Sequence, residues 1–249
     1  MSRTLRGIYT AASGMKFAEA MQTTIANNLA NSSTPGFKRD LAVGESFAEM
    51  LAGAGKAPIG KLSTAAYASA VYFDSSAGTA SNTDCPFDFA IEGDGCFAVQ
   101  TPAGERYTRA GNFRLDTESY LSTADGNRVL TTEGPVVVDG ALEVTADGTI
   151  YTGGRARGRF LIKVPLEPDV LTKQGANLFA AEGGTGGMRE AAPGEARIVQ
   201  GAVELSNVNV VREMVQMIAG YRVFESLQRA VVSQDACLDK AVNEVGRVG

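Results

Sequence analysis

The chain has 249 residues, 44% hydrophobic and 20% charged, a globular balance that sets aside gross disorder and leaves room for one or two domains. Its net charge of −5 lacks the basic surplus of a nucleic-acid scaffold, and it holds no run of about 18 apolar residues that would make a transmembrane helix. Histidine is absent, which removes Ser-His-Asp and Cys-His catalysis and any histidine-ligated metal.

The N-terminal segment carries Tyr9, Thr10, Ser13, Lys16 and Glu19 where a secretory signal needs an apolar core, so no Sec signal is expected. From Leu5 to Leu29, the residues Ile8, Ala11, Met15, Ala18, Gln22, Ile25 and Leu29 recur at steps of three and four, which predicts a helix with one narrow stripe. The stripe suits close helix contact better than a sheet face. Gly14 weakens this helix by about 1 kcal/mol relative to alanine. Asn31-Ser32-Ser33-Thr34-Pro35-Gly36 ends it with stacked turn formers.

Residues 37–84 have weak periodicity and read as an extended connector, with a short helical possibility around Leu41 to Leu51. From Phe87 to Pro165 the pattern changes to period two. Asp94-Gly95, Asp125-Gly126, Asp139-Gly140 and Asp147-Gly148 each lie between short apolar runs and predict hairpins. Strands are expected at Phe87 to Ile91, Phe97 to Gln100, Arg128 to Thr131, Val136 to Val138, Leu142 to Val144 and Phe160 to Val164. Pro168 to Gly201, with Gly183-Gly184-Thr185-Gly186-Gly187, reads as flexible by composition.

A second helix begins after Ser206-Asn207-Val208-Asn209, with Asn209 as N-cap and Glu213 in the first turn, where its charge suits the helix dipole. Its apolar row runs Val210, Met214, Met217, Tyr221, Phe224, Val231, Leu238, Val242 and Val245, widened by Val211, Val215, Ile218 and Val232 and interrupted at Gln228 and Asp235. Extending to Arg247, such a helix spans about 60 Å, too long for a small globular neighbour to bury. The expected fold class is therefore α+β, with long terminal helices forming a coiled-coil inner domain, a central all-β domain and an extended connector. The expected boundaries are 1–36, 37–84, 85–200 and 201–249.

Motifs for chemistry are missing. Cys85, Cys96 and Cys237 include no C-x-x-C pair, and Cys85 and Cys96 are placed about 20 Å apart at strand rise, beyond disulfide reach. Cys237 reads as a small packing residue. Gly153 and Gly158 have phosphate-loop spacing but are followed by Arg159-Phe160, and the Gly183 run has no strand before it. Arg155, Arg157 and Arg159 read as the solvated rim of a turn, and Glu92 with Asp94 as turn residues more than as a glycosidase pair. No cofactor, metal or catalytic group is expected. A carbohydrate-active enzyme and a secreted coiled-coil binding module are the rival classes.

Ile25-Ala26-Asn27-Asn28-Leu29-Ala30-Asn31, followed by Thr34-Pro35-Gly36-Phe37-Lys38-Arg39, closely resembles the N-terminal signature of bacterial flagellar rod and hook proteins. Phe89-Ala90-Ile91-Glu92-Gly93-Asp94-Gly95 with Tyr107-Thr108-Arg109-Ala110-Gly111-Asn112-Phe113 resembles their central β-domain motif. Gly201-Ala202-Val203-Glu204-Leu205-Ser206-Asn207-Val208-Asn209, with Glu213-Met214, resembles their C-terminal signature. Cys96 departs from the usual aromatic after the Gly-x-Gly turn, and Ser119-Tyr120 from a glycine-containing turn.

The resemblance implies a non-enzymatic subunit of the flagellar basal-body rod that polymerises helically and leaves through the type III export apparatus without a cleaved signal. Its implied partners are further copies and other rod subunits, the distal rod protein among them, in a rod spanning the periplasm. The length lacks room for the outer domain of hook proteins and favours a rod subunit; the resemblance implies the proximal rod, because the distal rod protein usually carries a longer segment between its N-terminal helix and its β-domain, with a distal rod protein or hook paralogue as the alternative. Ile8, Met15, Ile25 and Leu29 on the first helix, and Val210, Met214, Met217, Tyr221, Phe224, Val231, Leu238 and Val242 on the second, are the expected assembly surface.

Overall fold

The computed structural model describes residues 2–46, 66–167, 170–181, 184–192 and 194–245. They form two compact units, one of Met1–Ala30, Asp40–Asp74 and Asn209–Gly249, the other of Asn31–Arg39 and Ser75–Val208.

The first unit contains α1 (Ser2–Ala30), α2 (Val210–Val245) and an antiparallel hairpin of Asp40–Ser46 with Ala66–Phe73. Asn209 caps α2, its Oδ1 accepting the Arg212 amide at 3.0 Å. The helices run antiparallel. A methyl on Gly7 would stand 2.5 Å from Gln234 Nε2 and one on Gly14 3.1 Å from Leu227 Cδ1, while Gly220 faces Gln22 and Asn28 bonds Glu213. Ala11, Ala18 and Ile25 are the buried apolar side chains of α1. Phe17 packs beside Gly44 of the hairpin, where an added methyl would meet its ring at 2.7 Å.

The expectation of a coiled-coil inner domain joined by an extended connector is overturned. The chain is β-rich, with α1 and α2 the only α-helices among the described residues. The contacts between them include polar groups, Gln234 beside Gly7 and Asn28 bonded to Glu213, as well as Leu227 beside Gly14. The supposed connector supplies a hairpin against α1 and a further strand, Ala80–Asn82, to the other unit. Its alternation of small and β-prone residues, as in Ala66–Phe73, outweighs the weak helical period at Leu41, which lies in a strand. The rest of the Leu41 to Leu51 segment from residue 47 lies outside the described residues.

The second unit is built around a sheet ordered Leu171–Gln174, Leu178–Ala181, Gly104–Thr108, Cys96–Thr101, Arg128–Thr131, Leu121–Ser122 and Arg114–Leu115. Ile162–Pro165 pairs with Cys96–Thr101 and with Met188–Glu190. Leu142–Val144, Thr149–Thr152 and Arg155–Arg159 make a three-stranded sheet, and Phe89–Gly93 pairs with Ala196–Gln200. Phe89, Phe97, Phe113 and Phe160 meet at the centre, Phe97 lying edge-on to Phe113 at 5.2 Å and to Phe160 at 5.3 Å.

Asp125-Gly126 and Asp147-Gly148 close hairpins, but Asp94-Gly95 and Asp139-Gly140 do not. Positive φ at Gly93 and Gly95 lets the chain leave the Phe89–Gly93 strand for a strand with other partners. Val136 to Val138 forms only a bridge, Tyr120 to Val137. Pro168 to Gly201, read as flexible, holds strands at Leu171–Gln174, Leu178–Ala181, Met188–Glu190 and Ala196–Gln200. They bury at most one side chain apiece, which hid them. The three cysteines are free thiols, Cys96 buried, Cys85 half-buried and Cys237 exposed.

Phe97→Ala is expected to cost about 3–5 kcal/mol, measured by denaturant unfolding, because it empties the space where the aromatic side chains meet.

Candidate functional site

The Pro35-Gly36 turn brings the N-terminal motif onto the C-terminal one. Thr34 N donates to Asn31 O at 3.1 Å and Phe37 N to Thr34 O at 3.3 Å, winding the chain after α1 into a turn. Gly36, at φ +68°, donates its amide to Glu204 O at 2.8 Å, and a side chain there would overlap the Ala110 backbone. Only glycine meets both conditions. Phe37 is fully buried, with Lys173 Nζ 3.6 Å above its ring and donating to Lys38 O at 2.8 Å.

Beside it lies a buried charge cluster. Glu204, 3% exposed, accepts Lys38 Nζ at 2.6 Å and Gly78 N at 2.8 Å through Oε1, and Arg109 Nη1 at 3.1 Å through Oε2. Arg109 also donates to Ile91 O at 3.2 Å and Gly93 O at 2.8 Å, and Lys38 to Ser76 O at 2.7 Å. Two cations thus share one carboxylate, and three backbone carbonyls solvate the surplus charge. Asn207 completes the closure, accepting Arg39 N at 2.7 Å and donating to Ser76 O at 3.1 Å. Ser206 accepts Val208 N at 3.3 Å.

The central motif supports the same place. Thr108 accepts Ala110 N at 3.0 Å and donates to Asn177 O at 2.7 Å, setting the turn that aims Arg109. The Gly111 carbonyl accepts Phe89 N at 2.9 Å, and its missing side chain permits that approach. Gly95 leads into Cys96, whose thiol is pushed up by burial against the opposing pull of Arg109 and Lys38. It stays protonated at neutral pH.

A second polar node lies in the helical unit. Asn28, 1% exposed, donates to Asp40 O and accepts Asp40 N, both at 2.8 Å, and donates to Glu213 Oε2 at 3.2 Å. Glu213 is fully buried, so its role exceeds a charge near a helix dipole. Asn27 is exposed, and Leu29, Asn31 and Pro35 are half-buried.

Of the expected assembly residues, Ile25 is buried, and Ile8, Met15, Leu29, Met217, Phe224, Val231 and Leu238 are half-buried. Val210, Met214 and Tyr221 are exposed, Tyr221 at 57%. The Val242 side chain lies outside the described residues. Glu92 and Asp94 stand in solvent at a turn. The sequence reading named Asn28 as a motif residue and gave Lys38 and Glu204 no role beyond their place in the motifs. The available signal was a lone acid inside the apolar run Ala202-Val203-Glu204-Leu205.

A cleft of about 200 Å³ on the β-rich unit is lined by Thr132, Asp147, Arg159, Phe160, Glu190 and Ala192, among others. Arg189 and Glu195, adjacent in sequence to lining residues, form an ion pair, the Arg189 hydrogen bond and the Ala192 amide holding the Glu195 carboxyl at about 2. Among the described residues there is no metal-binding cluster and no helix long and apolar enough to cross a membrane. The acceptors of the charge cluster are filled by its own donors, so what the arrangement does is hold three distant segments together.

Those segments coincide with known families. Residues 8–38 match the flagella basal body rod protein family, 90–167 the flagellar hook protein FlgE/F/G D1 domain, and 199–244 the flagellar basal body rod FlgEFG protein C-terminal family. The chain is 31% identical over 96% of its length, and 98% of the relative's, to a flagellar basal-body rod protein FlgG from Bacillus subtilis. It is 32% identical, over 96% of its length and 97% of the relative's, to a flagellar basal-body rod protein FlgF from Mesorhizobium japonicum. It is 30% identical over 98% of its length to the whole of a flagellar hook-basal body complex protein FlhO from Bacillus subtilis. With its motif segments joined through one buried cluster and matched in order along nearly its whole length, the chain belongs to the flagellar basal-body rod protein family. It is a structural subunit of the bacterial flagellar rod.

Glu204→Gln leaves Lys38 and Arg109 without a counter-charge and is expected to cost about 3–5 kcal/mol in denaturant unfolding. Glu195 has a lowered pKa, so its contribution is complete above the ordinary value of 4.5 and is lost as pH falls to about 2. NMR titration of residues 189–195 is expected to have its midpoint near pH 2 in the unaltered protein and at a higher pH, toward 4.5, in Arg189→Gln.

Proposed function

We propose that this subunit occupies the proximal part of the rod, polymerises helically with further copies, and joins the distal rod protein. The observation that carries the assembly reading is the outward face of α2. Val211, Met214, Val215, Ile218 and Tyr221 recur at helical spacing and are between 48% and 71% exposed. A contiguous apolar face of this kind marks an association surface. Repeated contact through a face that is not its own complement extends an open filament.

Length supports the proximal position. The alignment with the Mesorhizobium FlgF covers 249 residues and that with the Bacillus FlgG 268, so the second relative carries insertions absent here. The distal rod protein, in the resemblance described above, has the longer segment between its N-terminal helix and its β-domain. Export through the type III apparatus rests on the family likeness. A load-bearing role in place of catalysis is supported by a cluster whose groups are engaged with one another. The acidic balance speaks against nucleic acid as a partner.

Met214→Asp combined with Ile218→Asp is expected to abolish sedimentable polymer at concentrations where the unaltered protein pellets, while the melting temperature stays within about 2 °C. Polymerisation at the unaltered rate would reject this face. Met217→Asp is the contrasting variant, because its half-buried position predicts a lower melting temperature as well.

A further inference from the structure

The edge strand Leu171–Gln174 is held differently from the rest of its sheet. Its neighbour Leu178–Ala181 is anchored in the β-rich unit, where Phe179 is buried opposite Tyr107 and the Asn177 carbonyl accepts the Thr108 hydroxyl at 2.7 Å. Among the described residues Leu171–Gln174 pairs with that neighbour alone, and it buries none of its own side chains. With little apolar area behind it, a four-residue edge strand belongs to the low-stability end of a fold.

The strand does carry Lys173. Residues opposed across strands share a face, so Lys173, Phe179 and Tyr107 form one row over three strands. The Lys173 ammonium stands 3.6 Å from the centroid of the buried Phe37 ring and donates to the Lys38 carbonyl at 2.8 Å, across 135 positions of chain. A cation over an aromatic face and a charge-assisted hydrogen bond exceed the neutral contacts of an exposed edge. By contrast, the bond from Arg106 Nε to Gln174 Oε1, at 2.7 Å, lies in solvent.

We infer that Leu171–Gln174 is a strap whose place in the sheet is set by the seated Pro35-Gly36-Phe37 turn, with Lys173 as the coupling residue. With Phe37 seated, the strap covers the outer edge of Leu178–Ala181. With the turn displaced, Lys173 loses both the ring and the carbonyl, the strap leaves, and that edge presents unpaired backbone groups, a template for unwanted pairing. The turn thus guards a sheet edge to which it contributes no strand. The inference uses contacts within the β-rich unit and is independent of the rod position proposed above.

The test is amide hydrogen exchange on the full chain. Lys173→Met keeps an unbranched side chain beside Phe37 and removes the charge and the donor. It is expected to speed exchange across Leu171–Gln174 by about tenfold, the equivalent of one hydrogen bond to a charged group, and to leave Gly104–Thr108 unchanged. Phe37→Leu, placed in the turn and not in the strand, is expected to speed the same amides. Gln174→Ala removes the exposed contact and is expected to change them by less than about threefold. Unchanged exchange across Leu171–Gln174 in Lys173→Met, or in a folded Phe37→Leu, overturns the inference. So does an effect of Gln174→Ala equal to that of Lys173→Met, or equal acceleration across Gly104–Thr108, since the strand would then open only with the whole unit. If Phe37→Leu fails to fold, the comparison of Lys173→Met with Gln174→Ala decides.

Discussion

The carboxylate of Glu204 is the point on which the β-rich unit turns. It is withdrawn from water and placed between Lys38 and Arg109, which come from sequence positions far before it and from each other. Neither cation could stay buried without it, since an ion stripped of water needs a counter-charge and hydrogen bonds to persist. Around that carboxylate the Pro35-Gly36 turn, the Thr108–Gly111 turn and the Glu204–Asn207 segment settle into contact, and each contributes backbone groups as well as side chains. The energetic value of such a cluster lies less in net stability than in discrimination. An apolar replacement of the same volume could be as stable, but it would not require these three segments and no others.

The same logic operates at smaller scale in the helical unit. Asn28 satisfies both the amide and the carbonyl of Asp40, leaving a further hydrogen of its amide for Glu213. The start of the hairpin, the end of α1 and the first turn of α2 are thereby fixed by one side chain. Apolar burial in this unit is modest, with Ala11, Ala18 and Ile25 the fully enclosed apolar positions of α1. Polar specificity therefore decides geometry where hydrophobic area is too small to do so.

Both helices and the central strands with clean alternation, such as Arg128–Thr131 and Leu142–Val144, were legible from periodicity, as was the Asn209 cap. Their mutual arrangement was not. The apolar row on α2 divides: Met217, Phe224, Val231 and Leu238 are half-buried, whereas Val210, Met214 and Tyr221 face solvent, and Gly220 and Gln234 stand among the covered positions. Small residues carry no weight in a hydrophobic pattern, although they determine how closely helices approach. The strands of residues 171–200 were obscured for a related reason, since Leu171–Gln174 buries no side chain and the others bury one each, Phe179, Met188 and Ile198. The charge cluster was visible only as residue identities within motifs. Its three parts are joined by long-range contacts that no local period encodes.

Those separations carry a temporal consequence. Lys38 meets Glu204 across 166 positions of chain and Arg109 meets it across 95. A polypeptide emerging from its N-terminus presents Lys38 and Arg109 long before their shared counter-ion exists, and the Gly36 amide waits for the backbone carbonyl of that same residue. Contacts at such separation make closure slow and late. The β-rich unit is consequently one whose final latch is delivered by its last strand, Ala202–Glu204.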